Sequence, residues 1–445
     1  MAGMKPDLID KANEEGDCVE IALAAGVTLN VRGATWRGVC PLSDCGTSSK
    51  SEPFVVYNGK SRWICHSCDD RGGDAVDLEH RLFSRNGETM GDAARRILGH
   101  VGREESEESR ARRAQARAVA EADEGAAEAW KARLAVHLWR EAVPAAGTLA
   151  QTYFEHRAIR GPVLARGLEV LRFNPRAYYS GPPEWDLFPP KHGVFLPAVI
   201  GLVMTELGPT GGVLCVYLRP NGKGKTHRDP AKKMWGPQGH VLLARQGDRV
   251  GPPDRNDRKD LAEVRLPGGV WLSRPDSPGP LAVAEGYENA FSRAMMLAGE
   301  LCLPVRAVAA GSLNRLQGGE LKDADGAVDV WTPTGDPMRP PFTWPEDPAS
   351  PWGIVDIACD ADMSPLKVKG RNGRGRIVRF TRDAKGRAKV CGALAVQGWR
   401  RRLTLGGETV VKASRPPPGL DFNDIRRAAE AAETAIEAET SGAAA

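Results

Sequence analysis

The sequence predicts an α/β protein of several domains. Four of its nine cysteines fall within 29 residues, residues 102–140 are rich in Ala, Glu and Arg without proline, and short apolar runs alternate with helical patterns after Pro280. We expect five segments: an N-terminal cysteine-containing unit with helices (1–100), a helical linker (101–143), a mixed α+β segment (144–275), an α/β domain with a mainly parallel sheet (276–432) and a disordered tail (433–445).

Composition is typical of a globular protein, with 41% hydrophobic and 27% charged residues in a chain of 445. No apolar run approaches the length of a membrane-spanning helix, and the N-terminus lacks the apolar core of a signal peptide. The sequence therefore predicts a cytoplasmic protein with no membrane partner.

Positive charge is concentrated in one segment, although the net charge is only +4. Residues 365–402 contain thirteen Lys or Arg and a single acidic residue, Asp383. Such a segment indicates either a polyanion partner or a solvated basic loop. Phe380 and Trp399 lie in it and are candidates for base stacking or for core packing.

The four clustered cysteines follow the pattern Cys40-x4-Cys45 and Cys65-x2-Cys68. Asn58-Gly59 between the pairs is a hairpin turn signal, and such a turn would bring the pairs together. Tetrahedral zinc takes four such ligands, so we expect one structural zinc ion in a zinc ribbon. The alternative is four buried cysteines without metal, and His66 could replace one ligand.

Residues 36–80 resemble the zinc-binding domain of bacterial and phage DNA primases. The resemblance rests on CPLSDCG, on WICHSC and on DDRGGDAVDL, with Cys-x4-Cys in place of the Cys-x2-His spacing of the chromosomal enzymes. It implies that this unit helps to choose the template initiation site.

Three acidic residues follow predicted apolar strands. Glu285 follows LAVA, whereas Asp360 and Asp362 follow IVDIAC. Ligands of open α/β sheets bind beyond the carboxyl ends of strands, so we expect these three acids to converge. Three close carboxylates need a cation, and hard oxygen ligands suit Mg²⁺. We expect Asp356 to be structural and Glu288 to face solvent.

The ordered set of Glu-Gly, Asp-x-Asp and GLDFNDIRRA is similar to the Toprim domain of primases, topoisomerases and some nucleases. The resemblance implies that Glu285, Asp360 and Asp362 are catalytic and hold Mg²⁺ or Mn²⁺, with Glu285 as a metal ligand or as a general base. Asp421 adds a carboxylate to the site or caps the following helix.

The region before this domain resembles the corresponding segment of phage and plasmid primases in GTLAQTYFEHRAI, VLRFNP and YLRPNGKGKTH. The resemblance implies an RNA-polymerase core. The nucleic-acid or nucleotide phosphates would contact Lys223, Lys225, Arg228, Lys232, Lys233, Arg374 and Arg376, unless the hairpin tip around Lys223 has no role. GKGKT is not a phosphate-binding P-loop, because Arg219 occupies the position of the required glycine.

Together the resemblances imply a DNA primase that makes short RNA primers on single-stranded DNA by Mg²⁺-dependent nucleotidyl transfer. Its implied partners are the template, ribonucleoside triphosphates and a replicative helicase in trans, in the cytosol of a bacterial host and with a phage or plasmid origin. The alternatives are a Toprim-type nuclease and a non-catalytic zinc-ribbon DNA-binding protein. None of the six tyrosines has the context of a topoisomerase nucleophile.

Overall fold

The computed structural model describes most of the chain. The described residues are 8–32, 35–42, 45, 52–57, 62–68, 71–84, 87–100, 107–181, 188–245, 261–323, 325–346, 352–371, 376–403 and 409–442. The predicted turn at Asn58-Gly59 and the predicted phosphate-binding residue Arg374 lie outside these ranges.

The chain divides into two compact units, Met1–Glu128 and Ala129–Ala445. The first unit combines short helices with short strands. Its elements are α1 (Leu8–Glu15), α2 (Cys18–Ala24), β1 (Leu29–Arg32), β2 (Thr35–Gly38), β3 (Phe54–Tyr57), β4 (Arg62–Cys65), β5 (Arg71–Asp74), α3 (Ala75–Phe83), α4 (Met90–His100) and the first part of α5 (Glu107–Arg140).

Strands β1 to β5 form one antiparallel sheet in sequence order. The sheet and helices enclose a core that includes Phe54, Trp63 and Leu78. Asp74 follows Gly72 and Gly73 directly before α3, a position that predicts a helix cap, and its Oδ1 accepts a hydrogen bond from Asp77 N at 2.9 Å. A Cβ at Gly72 would lie 2.5 Å from the Trp63 carbonyl oxygen, so the pairing of β4 with β5 requires glycine there.

The second unit is a mixed α/β structure. Its strands are β6 (Val143–Pro144), β7 (Arg172–Ser180), β8 (Val194–Thr205), β9 (Gly208–Tyr217), β10 (Lys232–Trp235), β11 (Gly239–Arg245), β12 (Leu261–Pro267), β13 (Gly269–Trp271), β14 (Leu281–Ala284), β15 (Arg306–Ala309), β16 (Ile354–Ala358), β17 (Leu366–Arg371), β18 (Ile377–Arg382) and β19 (Val410–Ser414). Its helices after α5 are α6 (Leu149–His156), α7 (Gly161–Val170), α8 (Tyr287–Leu301), α9 (Leu313–Gln317), α10 (Ala384–Leu403) and α11 (Phe422–Gly442).

The main sheet of this unit has the order β10-β9-β8-β13-β15-β14-β16-β19, and β7 also pairs with β8. The half from β10 to β13 is antiparallel, whereas β15, β14, β16 and β19 are parallel neighbours. The sequence predicts a mainly parallel sheet in this region, and the structure confirms the parallel strands but places them in a mixed sheet. Two separate hairpins, β11–β12 and β17–β18, stand outside it.

Alternate residues of the parallel strands pack into two different hydrophobic cores. In β14, Ala282 and Ala284 face the core that contains Phe291 of α8, whereas Leu281 and Val283 face the core that contains Trp399 of α10. The small residues allow α8 to approach the sheet closely. Trp399 is fully buried against Phe342 and Trp352, so it packs in the core and is not a stacking platform.

Some local predictions differ from the structure. The run LEVLRF (168–173) predicts a strand, but Leu168–Val170 belongs to α7, because the apolar residues of α7 repeat with helical spacing. The Pro/Gly-rich residues 252–280 predict a linker or surface loop, but part of this stretch forms β12 and β13. The Ala/Glu-rich residues 424–440 predict a helix, which α11 confirms, and α11 continues through Gly442 into the segment 433–445 that was expected to be disordered.

No helix among the described residues combines the length and apolar character needed to cross a bilayer.

Candidate functional site

The four predicted zinc ligands lie together in the first unit. Cys40 follows β2, Cys65 ends β4, and the pairing of β3 with β4 places Cys65 opposite Phe54. The sulfur atoms of Cys40, Cys45, Cys65 and Cys68 all lie within 4.8 Å of one another. Within the described part of the chain, this is the one group of three or more potential donors that meets that distance.

The spacing of the sulfur atoms fits a tetrahedral ion. The Sγ–Sγ distances are 3.6 Å for Cys40 and Cys68 and 3.8 Å for Cys45 and Cys65. A tetrahedron with Zn–S bonds of about 2.3 Å has edges of about 3.8 Å. Burial raises the pKa of the Cys68 thiol to about 12, so a cation between the sulfurs would be needed to favour thiolates. The four thiols could hold one zinc ion, and His66 is exposed and outside the group.

The predicted acidic residues lie at the same edge of the second unit's sheet. Glu285 follows β14 directly, Asp360 and Asp362 follow β16, and Asp421 precedes α11 beyond β19. Because β14, β16 and β19 are parallel neighbours, their carboxyl ends meet at one edge. This topology brings together four acids that are far apart in sequence.

The electrostatics of Asp360 show this convergence. The pKa of its carboxyl group is raised to about 7, first by burial and then by the negative charges of Glu285, Asp421 and Asp362. The pKa of Asp421 is also raised, mainly by burial. No three of these acids have donor atoms that all lie within 4.8 Å of one another. An ion such as Mg²⁺, which keeps several waters, would need only one or two of these carboxylates.

Polar partners position these acids. Lys232 Nζ lies 2.7 Å from Glu285 Oε1, and Asn289 Nδ2 donates to Asp360 Oδ1 at 2.7 Å. Asn289 lies four residues after Glu285, one turn along α8, so the sequence LAVAEGYENA already places it near the same sheet edge. The acidic motifs alone do not predict that Asn289 is a partner of Asp360.

The segment GLDFNDIRRA (419–428) is linked to the acidic site through hydrogen bonds of side-chain amides. Asn423 N donates to Asn289 Oδ1 at 3.2 Å, and Asn423 Nδ2 donates to the Arg157 carbonyl at 2.8 Å. Asp421 Oδ1 accepts from Asp424 N at 2.8 Å, so Asp421 caps α11 while its charge also acts on Asp360. Both roles considered for Asp421 are therefore compatible with its position.

The expectation that Glu288 faces solvent is wrong. Glu288 is buried, forms an ion pair with Lys225 Nζ at 2.8 Å and accepts a hydrogen bond from the Tyr153 hydroxyl. Burial opposes ionisation, but the Lys225 charge and these hydrogen bonds dominate and lower the pKa of Glu288 to about 2. Helical position alone did not reveal this, because α8 is covered on most of its faces.

Asp356 is structural, as expected. Its buried carboxylate lies 2.8 Å from Arg293 of α8 and 3.3 Å from Lys412 of β19. Ser414 Oγ donates to it at 3.0 Å. These contacts tie β16 to α8 and to β19, away from the acidic edge.

A basic cavity of about 340 Å³ adjoins the site. It is formed by the end of α6, the turn after β9 and one residue of α11. Its charged lining consists of His156, Arg157, Arg219, Lys223, Lys225 and Arg427. Asn221-Gly222 is a sequence signal for a turn, and Gly222 has a φ of +71°. The concentration of cations favours an anionic ligand such as a phosphate group.

The remaining predicted phosphate contacts are distributed more widely. Lys233 Nζ donates to the Tyr179 carbonyl at 2.8 Å and lies over the Tyr179 ring, and burial lowers the pKa of its ammonium group. Arg228 is exposed beside the same ring. Arg376 is exposed and precedes β18, on the separate β17–β18 hairpin.

Comparisons with known proteins gave a match to one family model and similarities to solved structures. Among solved structures, the chain is similar to the crystal structure of the Aquifex aeolicus primase (zinc-binding and RNA polymerase domains), with 14% identity, a TM-score of 0.27 and coverage of 95% of this chain and 82% of that one. No curated protein matches the chain. Residues 129–243 match a domain family of unknown function (DUF7146). The matched segment contains Lys232 and most of the cationic cavity, whereas the four acids lie beyond it.

Proposed function

We propose that the chain is a DNA primase that links ribonucleotides on single-stranded DNA by metal-dependent nucleotidyl transfer. The observation that carries the proposal is the convergence of Glu285, Asp360 and Asp362 at the ends of parallel strands. The order of the Glu-Gly, Asp-x-Asp and GLDFNDIRRA motifs supports a Toprim-type site.

In the proposed reaction, the 3′-hydroxyl oxygen of one ribonucleotide forms a bond to the α-phosphorus of another. The bond from the α-phosphorus to the bridging oxygen breaks, and pyrophosphate leaves with the electron pair. A divalent ion held by Asp360 and Asp362 would neutralise charge on the phosphoryl oxygens. Glu285 either accepts the proton of the attacking hydroxyl or contributes a further ligand, in which case solvent water accepts that proton.

The cations have separate tasks in this proposal. Lys232 lies beside Glu285, where it can hold the phosphates at the reacting centre. The cavity lined by Arg157, Arg219, Lys223 and Lys225 would hold the remaining phosphates of a triphosphate. Asn289 positions Asp360, and Asn423 positions the end of α6. Neither asparagine contacts the reacting atoms in this proposal.

The cysteine-containing unit would read the template. A closed site of four cysteine ligands leaves no open coordination position, so its contribution is structural. By its resemblance to the zinc-binding domains of primases, we propose that this unit selects the initiation sequence and that a replicative helicase acts in trans.

The test is a primer-synthesis assay with single-stranded DNA, ribonucleotides and Mg²⁺. We expect short RNA products from the wild type and loss of product in Asp360→Asn and Glu285→Gln. Asp276→Asn removes an equal charge from a side chain that is 77% exposed and should retain activity.

Product from Asp360→Asn at the wild-type rate would refute the catalytic role of this residue. Cleavage of the DNA without synthesis would identify a nuclease, which the same acids could serve. Binding to DNA that neither Mg²⁺ nor nucleotides change, without synthesis, would indicate a non-catalytic DNA-binding protein.

A further inference from the structure

A second basic groove lies in the unit that contains the acidic site. Its volume is about 970 Å³, and it is formed by β12, α9, the segment 318–340 and β17. Five cationic side chains line it against the two acids Glu263 and Glu320. Arg382 forms an ion pair with Glu320 at 2.6 Å and so neutralises one of these two negative charges. The groove therefore favours a polyanion.

The β17–β18 hairpin presents its cations on one exposed face. Lys367 pairs with Thr381, Lys369 with Arg379 and Arg371 with Ile377, so these six side chains share a face, and all six are exposed. Arg371 is bound by Asp323 at 2.8 Å. Lys367 and Lys369 have no ion pair with any described side chain, and both line the groove.

An exposed aromatic residue lies close in sequence to a residue that lines this groove. Trp331 has 79% of its surface exposed, the largest fraction among the exposed large hydrophobic residues of the described chain. It lies three residues after Val328, which lines the groove and donates its backbone N–H to the Lys369 carbonyl at 2.9 Å. Exposure of an indole to water is unfavourable, so such a ring at a basic groove indicates a partner that stacks on it.

The groove is connected to the acidic site by a short helix. Gly311, two residues before α9, donates its N–H to the Glu285 carbonyl at 2.8 Å. Asn314 and Gln317 of α9 line the groove. The five residues of α9 span about 7 Å, so a strand that leaves the acidic site along α9 would enter the groove directly.

We infer that this groove binds single-stranded nucleic acid, with phosphates on Lys367 and Lys369 and a base stacked on Trp331. Grooves that combine cations with aromatic residues are typical of single-strand binding, whereas duplexes are read by convex elements that enter their grooves. As a path for the template strand, the inference rests on the proposed function; as a binding site, it does not.

The test measures binding of the full chain to a dye-labelled oligodeoxythymidylate by fluorescence anisotropy at several salt concentrations, without nucleotides. In Lys367→Ala/Lys369→Ala, loss of two phosphate contacts should reduce the slope of log K against log salt by about 1.4. Trp331→Ala should weaken binding on the order of tenfold without changing the slope, and Trp331→Phe should restore most of the affinity.

Lys191→Ala/Arg274→Ala is the matched control, since it removes the same charge from exposed positions outside the groove. Its slope should equal that of the wild type. Wild-type affinity and slope in both groove variants would overturn the inference, and so would an effect confined to duplex DNA. A chain that loses binding in the groove variants but synthesises no primer would refute the polymerase proposal alone.

Discussion

Lys232 of β10 and Glu285 after β14 form an ion pair at 2.7 Å across the edge of the main sheet. The pair joins the antiparallel half of the sheet to the parallel half. It also places an ammonium group where a divalent cation would approach the acids. Under the proposed function, a divalent cation would compete with Lys232 for Glu285 until the phosphates of a substrate provided Lys232 with a new partner.

Removal of the Lys232 charge should therefore have opposite effects on the affinity for metal and on the affinity for nucleotide. We expect Lys232→Met to bind Mn²⁺ several times more tightly, because an opposing charge is lost, and to bind nucleotides more weakly. Isothermal titration with each ligand would measure both effects. Lys233→Met is the control, since Lys233 contacts the Tyr179 carbonyl instead of an acid. Equal metal affinity in both variants would contradict the competition.

Asp356 within β16 and Asp360 just after it should change the stability of the fold in opposite directions when each is replaced by asparagine. Asp360→Asn should stabilise the metal-free protein at pH 8 by about 2 kcal/mol, because a buried charge repelled by three acids is removed. The amide oxygen can still accept the hydrogen bond from Asn289. Primer synthesis should be lost.

Asp356→Asn should instead destabilise the fold by about 2–3 kcal/mol, because Arg293 would lose its buried carboxylate partner and keep only the half-exposed Glu300. Urea denaturation of both variants measures the two free energies of unfolding. A loss of stability in Asp360→Asn similar to that in Asp356→Asn would show that Asp360 is a structural residue.

Glu288 should make stability depend on pH in the acidic range. Its folded pKa of about 2 lies below the unfolded value of about 4.3, so its ionised form is stabilised by folding. The contribution is complete above about pH 5 and is lost as the pH falls toward 2. Glu288→Gln should thus cost about 3 kcal/mol at pH 7 and much less near pH 2.

Denaturation curves across this pH range would measure that difference. Glu169→Gln, at an exposed position of α7, should show little dependence on pH. A constant difference between the wild type and Glu288→Gln at every pH would contradict the ion pair with Lys225.

Zinc should be stoichiometric and should depend on each of the four cysteines. Mass spectrometry of the full chain is expected to show about one zinc per protein. Cys45→Ser should lower zinc occupancy and expose the first unit to proteolysis, because its core contains three of the ligands. Cys302→Ser, an exposed cysteine outside the site, should keep the metal. Full zinc content in Cys45→Ser would remove Cys45 from the ligand set.

The positions of the acids could be predicted from the sequence because they depend on strand ends. Apolar runs such as LAVA and IVDIA specify buried parallel strands, and the residues that follow them must meet at one edge. The zinc ligands were predictable for a similar reason, since paired cysteines on either side of a short hairpin leave few arrangements. The catalytic roles of Glu285, Asp360 and Asp362 remain predictions.

The partners of these residues could not be predicted, because they come from elements with no sequence relationship to the motifs. Lys232 reaches Glu285 only because β10 pairs with β9 at the other side of the sheet. Glu288 is buried only because α6 and the turn after β9 cover the first turn of α8. The hairpin β11–β12 was missed because prolines and glycines near it indicated a loop.

The bonds of Asn423 have a consequence for the order of events during protein synthesis. Asp421 and Asn423 lie at the start of α11; Asp421 acts on Asp360 through its charge, and Asn423 is linked to Asp360 through Asn289. A ribosome produces this part of the chain only after the strands of the main sheet. A nascent chain can form β14 to β16 much earlier, since domains fold as their residues emerge. Its acids would nevertheless lack their final arrangement until the start of α11 has emerged and packed beside them.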